Sequence, residues 1–595
     1  MIRIRHLTAV VLLAATTTAG AITPAIVPSR TSGVAPLAVF FDATGTTAVG
    51  IANPFHALGY QFSFNDALAT WATTGAPKNS ASGGVVAHVF ESPGTYPVTL
   101  TVTDGVNNAT ATVTITVSDP NTVFSGANTI CVSATALPVA GVGGCPAGAT
   151  VVQSGDWPTI VNTRAQPGKR VLLKRGDVFT GTPTAQLNKQ GPGIIGAYGT
   201  GAKPVIRNTG TANNSNMLRV IGNPSNDWRL VDLDFDGQGD VHRNFLFANG
   251  VFSLSRLLML RVDAHDLGGG ISLSVGTLTP AVPDQVFLVD STIKRIKTTA
   301  GAAGPQASYL MARRMGVLGT IIDDTTQGDA QHLVRVAYAE RAVFSHNVLK
   351  NSHSGREMFA IRGVCSDGTC GPFGVGGATQ FMVVSSNKIE TNSYVGIQVD
   401  NAASNVPGFI RDIVLEGNWY KNTATGGLCT KIRALRVTVR NEICDQTSLP
   451  NTVGTGFQVY GPMTYSSGVT VPGASDVWLY NNTFYSGGQQ VNMILASLMN
   501  PPVNNLVIRN NIVYGVKATT SYIVTGSAGS TVVQGTNGTT NPSFAVFPFT
   551  QPSDLRLTSG SYAIGTGAAV PVFTNFFGQP RQFGSALDKG AIIPR

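Results

Sequence analysis

Six short segments of this chain follow one plan: VFSHNVL, VVSSNKI, VLEGNWY, VTVRNEI, LYNNTFY and VIRNNIVY. Each has an apolar run, an asparagine, and another apolar residue two places on. The asparagines are Asn347, Asn387, Asn418, Asn441, Asn482 and Asn511, spaced by 40, 31, 23, 41 and 29 residues. WRLVDLDFDG, RLLMLRVDAHD and QVFLVDSTI keep the rhythm earlier in the chain without the asparagine. About ten residues after most of the asparagines comes a second strand-like segment: MFAIRG, GIQVDN, GFQVYG or NMILAS. A unit this short cannot bury its inner face alone, so units must stack and share one core.

Two or three short strands per irregular period describe one coil of a parallel β-helix. An asparagine at the same corner of each coil can stack into a ladder whose amides bond the turns above and below. Variable spacing then means that loops of different length leave the coils at fixed corners, where they build clefts on a rigid support. Composition agrees: Gly, Val, Thr, Asn and Ser abound and charged residues are 12%, a balance that favours strands and turns.

Residues 23–118 read differently. In HVFESPGTYPVTLTVTDG, Tyr96, Val98, Leu100 and Val102 alternate with Thr99, Thr101 and Thr103, the period of a half-buried strand. With GVAPLAVFFDATGT, YQFSFND and ATATVTITV, this is the pattern of a small β-sandwich. The stretch resembles a PKD (polycystic-kidney-disease-type) domain. The family's aromatic-Asp-Phe-Gly-Asp motif appears altered, as Phe62-Ser63-Phe64-Asn65-Asp66, and PGTYPVTLTVTDG is a close match. Such domains serve as spacers or binding modules, so no chemistry is assigned to it. Residues 119–126 form a polar linker, and residues 127–595 the solenoid. PGKRVLLKRGDVF, preceded by a capping helix at Trp157 to Arg164, resembles the first coil of secreted right-handed parallel β-helix proteins of the pectate-lyase-like kind. The tail DLRLTSGSYAIGTG to FFGQPRQFGSALDKGAI resembles their closing segment. The expected fold class is therefore all-β, a right-handed parallel β-helix preceded by a PKD-type sandwich.

Residues 1–21 have the form of a secretory signal, with Arg3 and Arg5, an apolar run from Leu7 to Ala15, and Ala19-Gly20-Ala21 for cleavage. A secreted or periplasmic, monomeric protein is expected, with no membrane partner after cleavage. Export permits disulfides among the six cysteines. The sequence-local pairs are Cys131 with Cys145, Cys365 with Cys370 and Cys429 with Cys444, although sequence alone leaves other connectivities open. The net charge of +9 comes without a basic run or basic helix, which argues against nucleic acid and suits an acidic polysaccharide.

Residues 331–363 concentrate ionisable groups: three of the eight histidines, four arginines and a lysine. If Val334, Val336, Phe359 and Ile361 face inward, Arg335, Arg362, Asp400 and Tyr460 line one outer face over several coils. A uronate polymer is cleaved by β-elimination when a cation neutralises the sugar carboxylate and a base removes the adjacent proton. Arginine suits the first task through its planar fork, and histidine the second. Arg335, Arg356 and Arg362 are expected to hold the carboxylate, with His353 as base; His332, Lys350, Asp400 and Tyr460 are expected to contact substrate. His346, before a ladder asparagine, reads as a turn residue. The resemblance to β-helix polysaccharide lyases and C5-epimerases is one of fold and residue type. The full motif of the alginate and chondroitin-sulfate lyase family is absent, so none of its positions is carried over. Calcium is a candidate cofactor, because Asp232, Asp234, Asp236 and Asp240 offer oxygen ligands, the first three from one strand face. The same aspartates with Asp263, Asp266 and Asp290 could instead serve a glycoside hydrolase. DGQG and Arg295 to Lys297 faintly resemble the polygalacturonase family, whose Asn-Thr-Asp, Asp-Asp and Gly-His-Gly signatures are missing. A third reading is a non-catalytic adhesin with Trp419 and Tyr465 stacking on sugars.

Overall fold

The computed structural model describes residues 22–67, 70–181, 185–207, 209, 216–220, 226–239, 244–249, 254–274, 282–296, 307–325, 332–352, 356–363, 378–392, 394–401, 410–423, 427–464, 468, 470–546, 549–582 and 586–593. The segment read as a signal, His353, Cys365, Cys370, Asp240 and Tyr465 lie outside them.

After the N-terminal sandwich the chain winds into a parallel β-helix with three walls. The first wall includes Glu357–Ile361, Val395–Asp400, Leu428–Arg433, Val453–Tyr460 and Asn492–Met499. The second includes Thr379–Ser385, Ile410–Glu416, Leu435–Arg440 and Ser475–Tyr480. The third includes Val348–Lys350, Lys388–Thr391, Trp419–Asn422 and Ile443–Asp445. The pairings between rungs of a wall are parallel, for example Phe359 opposite Ile397 and Leu349 opposite Ile389, with register shifts at Gln190/Gly193 and Leu310/Met311. Two long strands, Ser308–Leu318 and Val334–Ser345, run from the first wall into the second. Inward residues of all three walls form one continuous core. The helix Trp157–Arg164 closes its N-terminal end. Asp156 caps the helix through the Thr159 amide, and Trp157, Ile160 and Val161 reach into the core.

The corner between the second and third walls carries the ladder. The Asn347 amide N–H and Nδ2 both donate to Asn387 Oδ1, each at 2.9 Å, and Asn387 donates likewise to Asn418 at 3.0 and 2.8 Å. Each Nδ2 also bonds a strand carbonyl, Val317 O from Asn347 and Phe344 O from Asn387. The ladder continues through Glu442, Asn482, Asn511 and Asn537. The rung at Asn441 corrects the sequence reading by one residue. Asn441 occupies the left-handed turn position before the ladder, at φ 55°, as His346 does at 58° and Asn481 at 53°. It bonds the tail, with Nδ2 donating to Thr574 O, while Glu442 takes the ladder position and accepts from the Asn418 amide and Nδ2 at 3.1 and 2.9 Å.

The sandwich pairs Gly94–Thr103 with Asn108–Ser118 antiparallel, and Tyr96, Val98, Leu100 and Val102 point into its core. Its other sheet, Val27–Pro28, Leu37–Asp42 and Val85–Phe90, is apolar on both faces. Leu37, Val39 and Phe41 fill the sandwich; Ala38, Phe40, Val85, Ala87 and Val89 pack on the second wall against Leu258, Phe287, Val289, Val343, Val383 and Val414. Ion pairs rim this contact: Arg30 with Asp227 at 2.7 Å, Lys78 with Asp290 at 2.5 Å, Glu91 with Arg261, and Asp42 with Arg341. Trp71 stacks on His346 at 5.5 Å. The stretch 119–126 is packed too: Asp119 caps Pro120–Val123, and Phe124 is buried with Val34 and Ile194.

Two expected outcomes test this architecture. Asn387→Ala leaves the buried Asn347 N–H and Phe344 carbonyl short of partners and should cost about 2–5 kcal/mol in urea unfolding. Glu442 gives a pH signature, because burial pushes its carboxyl up to about 8 from an ordinary 4.5. The folded state then holds the proton more tightly than the unfolded chain. Its contribution is full below about pH 4.5 and is lost as pH rises towards 8. Glu442→Gln should therefore gain stability over the parent between pH 5 and 8; parallel pH profiles would contradict the placement. At the docked face, Phe287→Asp should open residues 119–126 to limited proteolysis, where the parent resists.

Candidate functional site

The register of the first wall fixes which outward side chains are neighbours. Tyr309, Arg335, Ala360, Gln398, Lys431, Gln458 and Ser497 stand opposite one another on successive rungs. A second row lies two residues further along each strand. Ile361 opposite Val399 sets Arg362 beside Asp400, Asp400 faces Arg433, and Ile432 opposite Val459 sets Tyr460 beside Arg433. Val334, Val336, Phe359 and Ile361 are in the core, so the alternation read from the sequence holds. Arg335, Arg362, Asp400 and Tyr460 do share one wall.

Their environments differ. The Arg335 guanidinium lies 5.6 Å from the Tyr309 ring centre, and its Nε is buried with no hydrogen-bond partner among the described residues. Burial lowers its pKa. Arg362 reaches Glu357 at 3.8 Å. His332 places Nδ1 2.8 Å from the Glu357 carbonyl and is 4% exposed. Burial pulls its pKa down to about 4, so at neutral pH it is an uncharged imidazole with Nδ1–H as donor. Asp400 is fully buried, with Lys431 Nζ at 3.2 Å, Arg433 Nη1 at 3.5 Å and Gln398 Nε2 at 3.2 Å. The Tyr460 ring lies under both cations, 4.7 Å from Lys431 and 4.9 Å from Arg433. Its hydroxyl donates to Gln458 at 2.6 Å, and burial raises its pKa.

Several expected contacts move. His332 and Asp400 sit beneath the surface and hold their neighbours in place, so neither is a direct substrate contact. Lys350 is on the third wall, 3.3 Å from Asp323 and opposite Glu390. There it belongs to a row of largely alternating charge: Arg207, Asp236, His265, Lys294, Asp323, Lys350, Glu390, Lys421 and Asp445. Such cross-rung pairing accounts for it structurally. Arg356 is exposed just before the Glu357–Ile361 strand. Lys431 and Arg433 were missed. Aligning TKIR with IQVD would have found them, because both put alternate residues outward.

The aspartates are also rearranged. Asp232 takes the left-handed corner position at φ 58° and pairs with Arg261 at 2.7 Å and Arg175 at 3.2 Å. That turn breaks the alternation, so it does not share a face with Asp234 and Asp236. Asp234 faces His265 at 3.1 Å and Asp236 binds Arg207 at 2.8 Å. Asp236, His265 and Asp266 lie close enough to hold an ion. However, Arg207 and Arg295 already neutralise the two carboxylates, and hydrogen bonding to Asp234 raises the His265 pKa. Of the hydrolase candidates, Asp263 pairs with Lys203 at 2.8 Å, and Asp290 lies in the docked interface. Trp419 packs against Phe549 of the tail and offers no free sugar platform. Cys131–Cys145 and Cys429–Cys444 are disulfides, as an oxidising compartment allows. No helix among the described residues is long and apolar enough to cross a membrane.

Residues 25–117 match the family model of the PKD domain. No curated protein matches the chain. Among solved structures, a GH136 lacto-N-biosidase from Eubacterium ramulus aligns at 14% identity and TM-score 0.37, covering 68% of each chain. Pectate lyase Pel9A aligns at 13% identity and TM-score 0.33, covering 80% of this chain and 98% of that one. These distant likenesses transfer no activity. The chain consists of a PKD domain, at residues 25–117, docked along a parallel β-helix.

Proposed function

We propose that the first wall binds a uronate-containing polysaccharide outside the cell and cleaves it by β-elimination. The observation that supports this most is the pair Arg335 and Arg362 on adjacent rungs, with the Arg335 Nε still unpartnered among the described residues. Arg362 lies one rung across and two residues along from Arg335, about 8 Å between backbones, a gap that two long arginine side chains can close on one sugar carboxylate. Withdrawing charge from that carboxylate acidifies the neighbouring C–H. Arg335 lies against Tyr309 and Arg362 beside Glu357, so neither fork needs to reorganise when the enolate charge develops.

The base in this reading is His353, with Arg356 adding positive charge from the same connection. It takes the proton beside the carboxylate, and the C–O bond on the next carbon breaks with its electron pair leaving on the glycosidic oxygen. That oxygen is protonated by the resulting imidazolium or by water. His332, whose pKa burial lowers, bonds the Glu357 carbonyl and keeps that end of the strand in place. Proton delivery to the opposite face of the same carbon would give a C5-epimerase, which shares the first step and is the second reading. The arginines supply the neutralising charge, and the sequence's calcium candidates already have Arg261, Arg207 and His265 as partners. No step is therefore routed through an ion.

A panel of uronate polymers assayed for unsaturated products by ultraviolet absorbance is the direct test. Arg335→Ala and Arg362→Ala should each lower turnover by about 10²–10³-fold. Arg335→Lys should not restore it, because an ammonium lacks the planar fork. His353→Ala should abolish turnover and leave thermal unfolding unchanged. Activity should survive EDTA; loss reversed by calcium would move the neutralising role to an ion. New reducing ends without unsaturation would make the protein a hydrolase, and inverted uronate units seen by NMR an epimerase.

A further inference from the structure

We propose that Lys431, with Tyr460 beside it, forms a second anion-binding subsite on the first wall, positioned by the buried Asp400 and Arg433. The ligand would then be a polymer that repeats its negative groups, not one with isolated uronates. This rests on the reading of the first wall as a uronate site and extends it.

Three features carry it. Lys431 and Arg433 project outward from one strand and converge on a single carboxylate, Asp400, at 3.2 and 3.5 Å. Among the described residues one buried carboxylate faces two cations, which leaves a net positive charge there. Arg433, 2% exposed, adds its charge from beneath, while Lys431, 16% exposed, is the cation that a ligand can meet. The geometry is also held rigidly. Asp400 fixes the two cations from below, and the Tyr460 ring supports both. Tyr394, 40% exposed, is a hydrogen-bonding neighbour of Tyr460. It adds an aromatic edge of the kind that suits a sugar ring.

The spacing defines the ligand. Arg335, Ala360, Gln398 and Lys431 are consecutive in one row, and Arg362, Asp400 and Arg433 in the next, so two to three rung steps, about 10–14 Å, separate the two cationic centres. A disaccharide cannot occupy both, whereas a longer oligouronate can. The recognised chemistry is a carboxylate or a sulfate ester. A polyuronate and a sulfated neutral glucan tested side by side separate these sources.

The test is calorimetric binding of uronate disaccharide and hexasaccharide to the full-length protein, with the steady-state constants of the same variants. Lys431→Ala should weaken hexasaccharide binding by about tenfold, leave the disaccharide unchanged, and raise KM with little change in kcat. Lys431→Arg should restore most of it. Asp400→Asn should give the same split, because the cations lose their anchor; a loss of kcat alone would contradict a positioning role. Hexasaccharide binding equal to the parent's in Lys431→Ala would overturn the subsite and leave the Arg335 and Arg362 reading standing. Preference for the sulfated glucan would overturn the uronate assignment of the subsite. A parent protein that binds no uronate oligomer would remove the reading of the wall itself.

Discussion

The in-register hydrogen bonding of one coil on the next sets every other placement in this molecule. A parallel rung reproduces the facing of the rung below, so one residue's direction fixes a whole row. The corner ladder pins that register. Each asparagine gives its backbone N–H and side-chain amide to the next and returns a bond to the strand beneath, so a slipped coil would strand several buried polar groups. Left-handed turn residues such as His346 and Asn481 let the chain turn into it. Glu442 fits the same series while it is protonated, which ties this corner to pH.

The walls have divided their tasks. The second is covered by the sandwich through an apolar strip and a rim of ion pairs. The third pairs its charges rung by rung, and near its end it meets Phe544, Phe549 and Leu555 of the tail. The first wall gathers Arg335, Arg362, Lys431 and Arg433, with Glu357 and Asp400 as the described carboxylates within 4 Å of them. Desolvating cations such as Arg433 and Arg335 beside so few carboxylates is costly, so stability alone does not account for them. The proposed role, binding an anionic chain, gives a reason for them.

Much of this was legible in the sequence, because period-two alternation and the recurring asparagine are local signals. They gave the coils, the inward and outward facing of MFAIRG and GIQVDN, and the sandwich with its Tyr96 to Val102 strand. Errors arose where a turn interrupts alternation. In VTVRNEI the asparagine fills the turn position and glutamate the ladder, a slip that one chain's pattern does not resolve. Asp232 fails as a partner of Asp234 for the same reason. Lys350 is close in sequence to Arg362, but a corner lies between them and sends them to different walls. The docking of the sandwich was not legible as a contact. Its trace is the unbroken apolar runs LAVFFD and VVAHVF, which mark a sheet buried on both faces.

The most direct test of the central claim is a crystal structure of the protein with a long uronate oligosaccharide bound. The account predicts a sugar chain along the first wall, with one carboxylate on Arg335 and Arg362 and another near Lys431. A chain bound instead on the third wall, at Asp236 and His265, or on the sandwich, would contradict it.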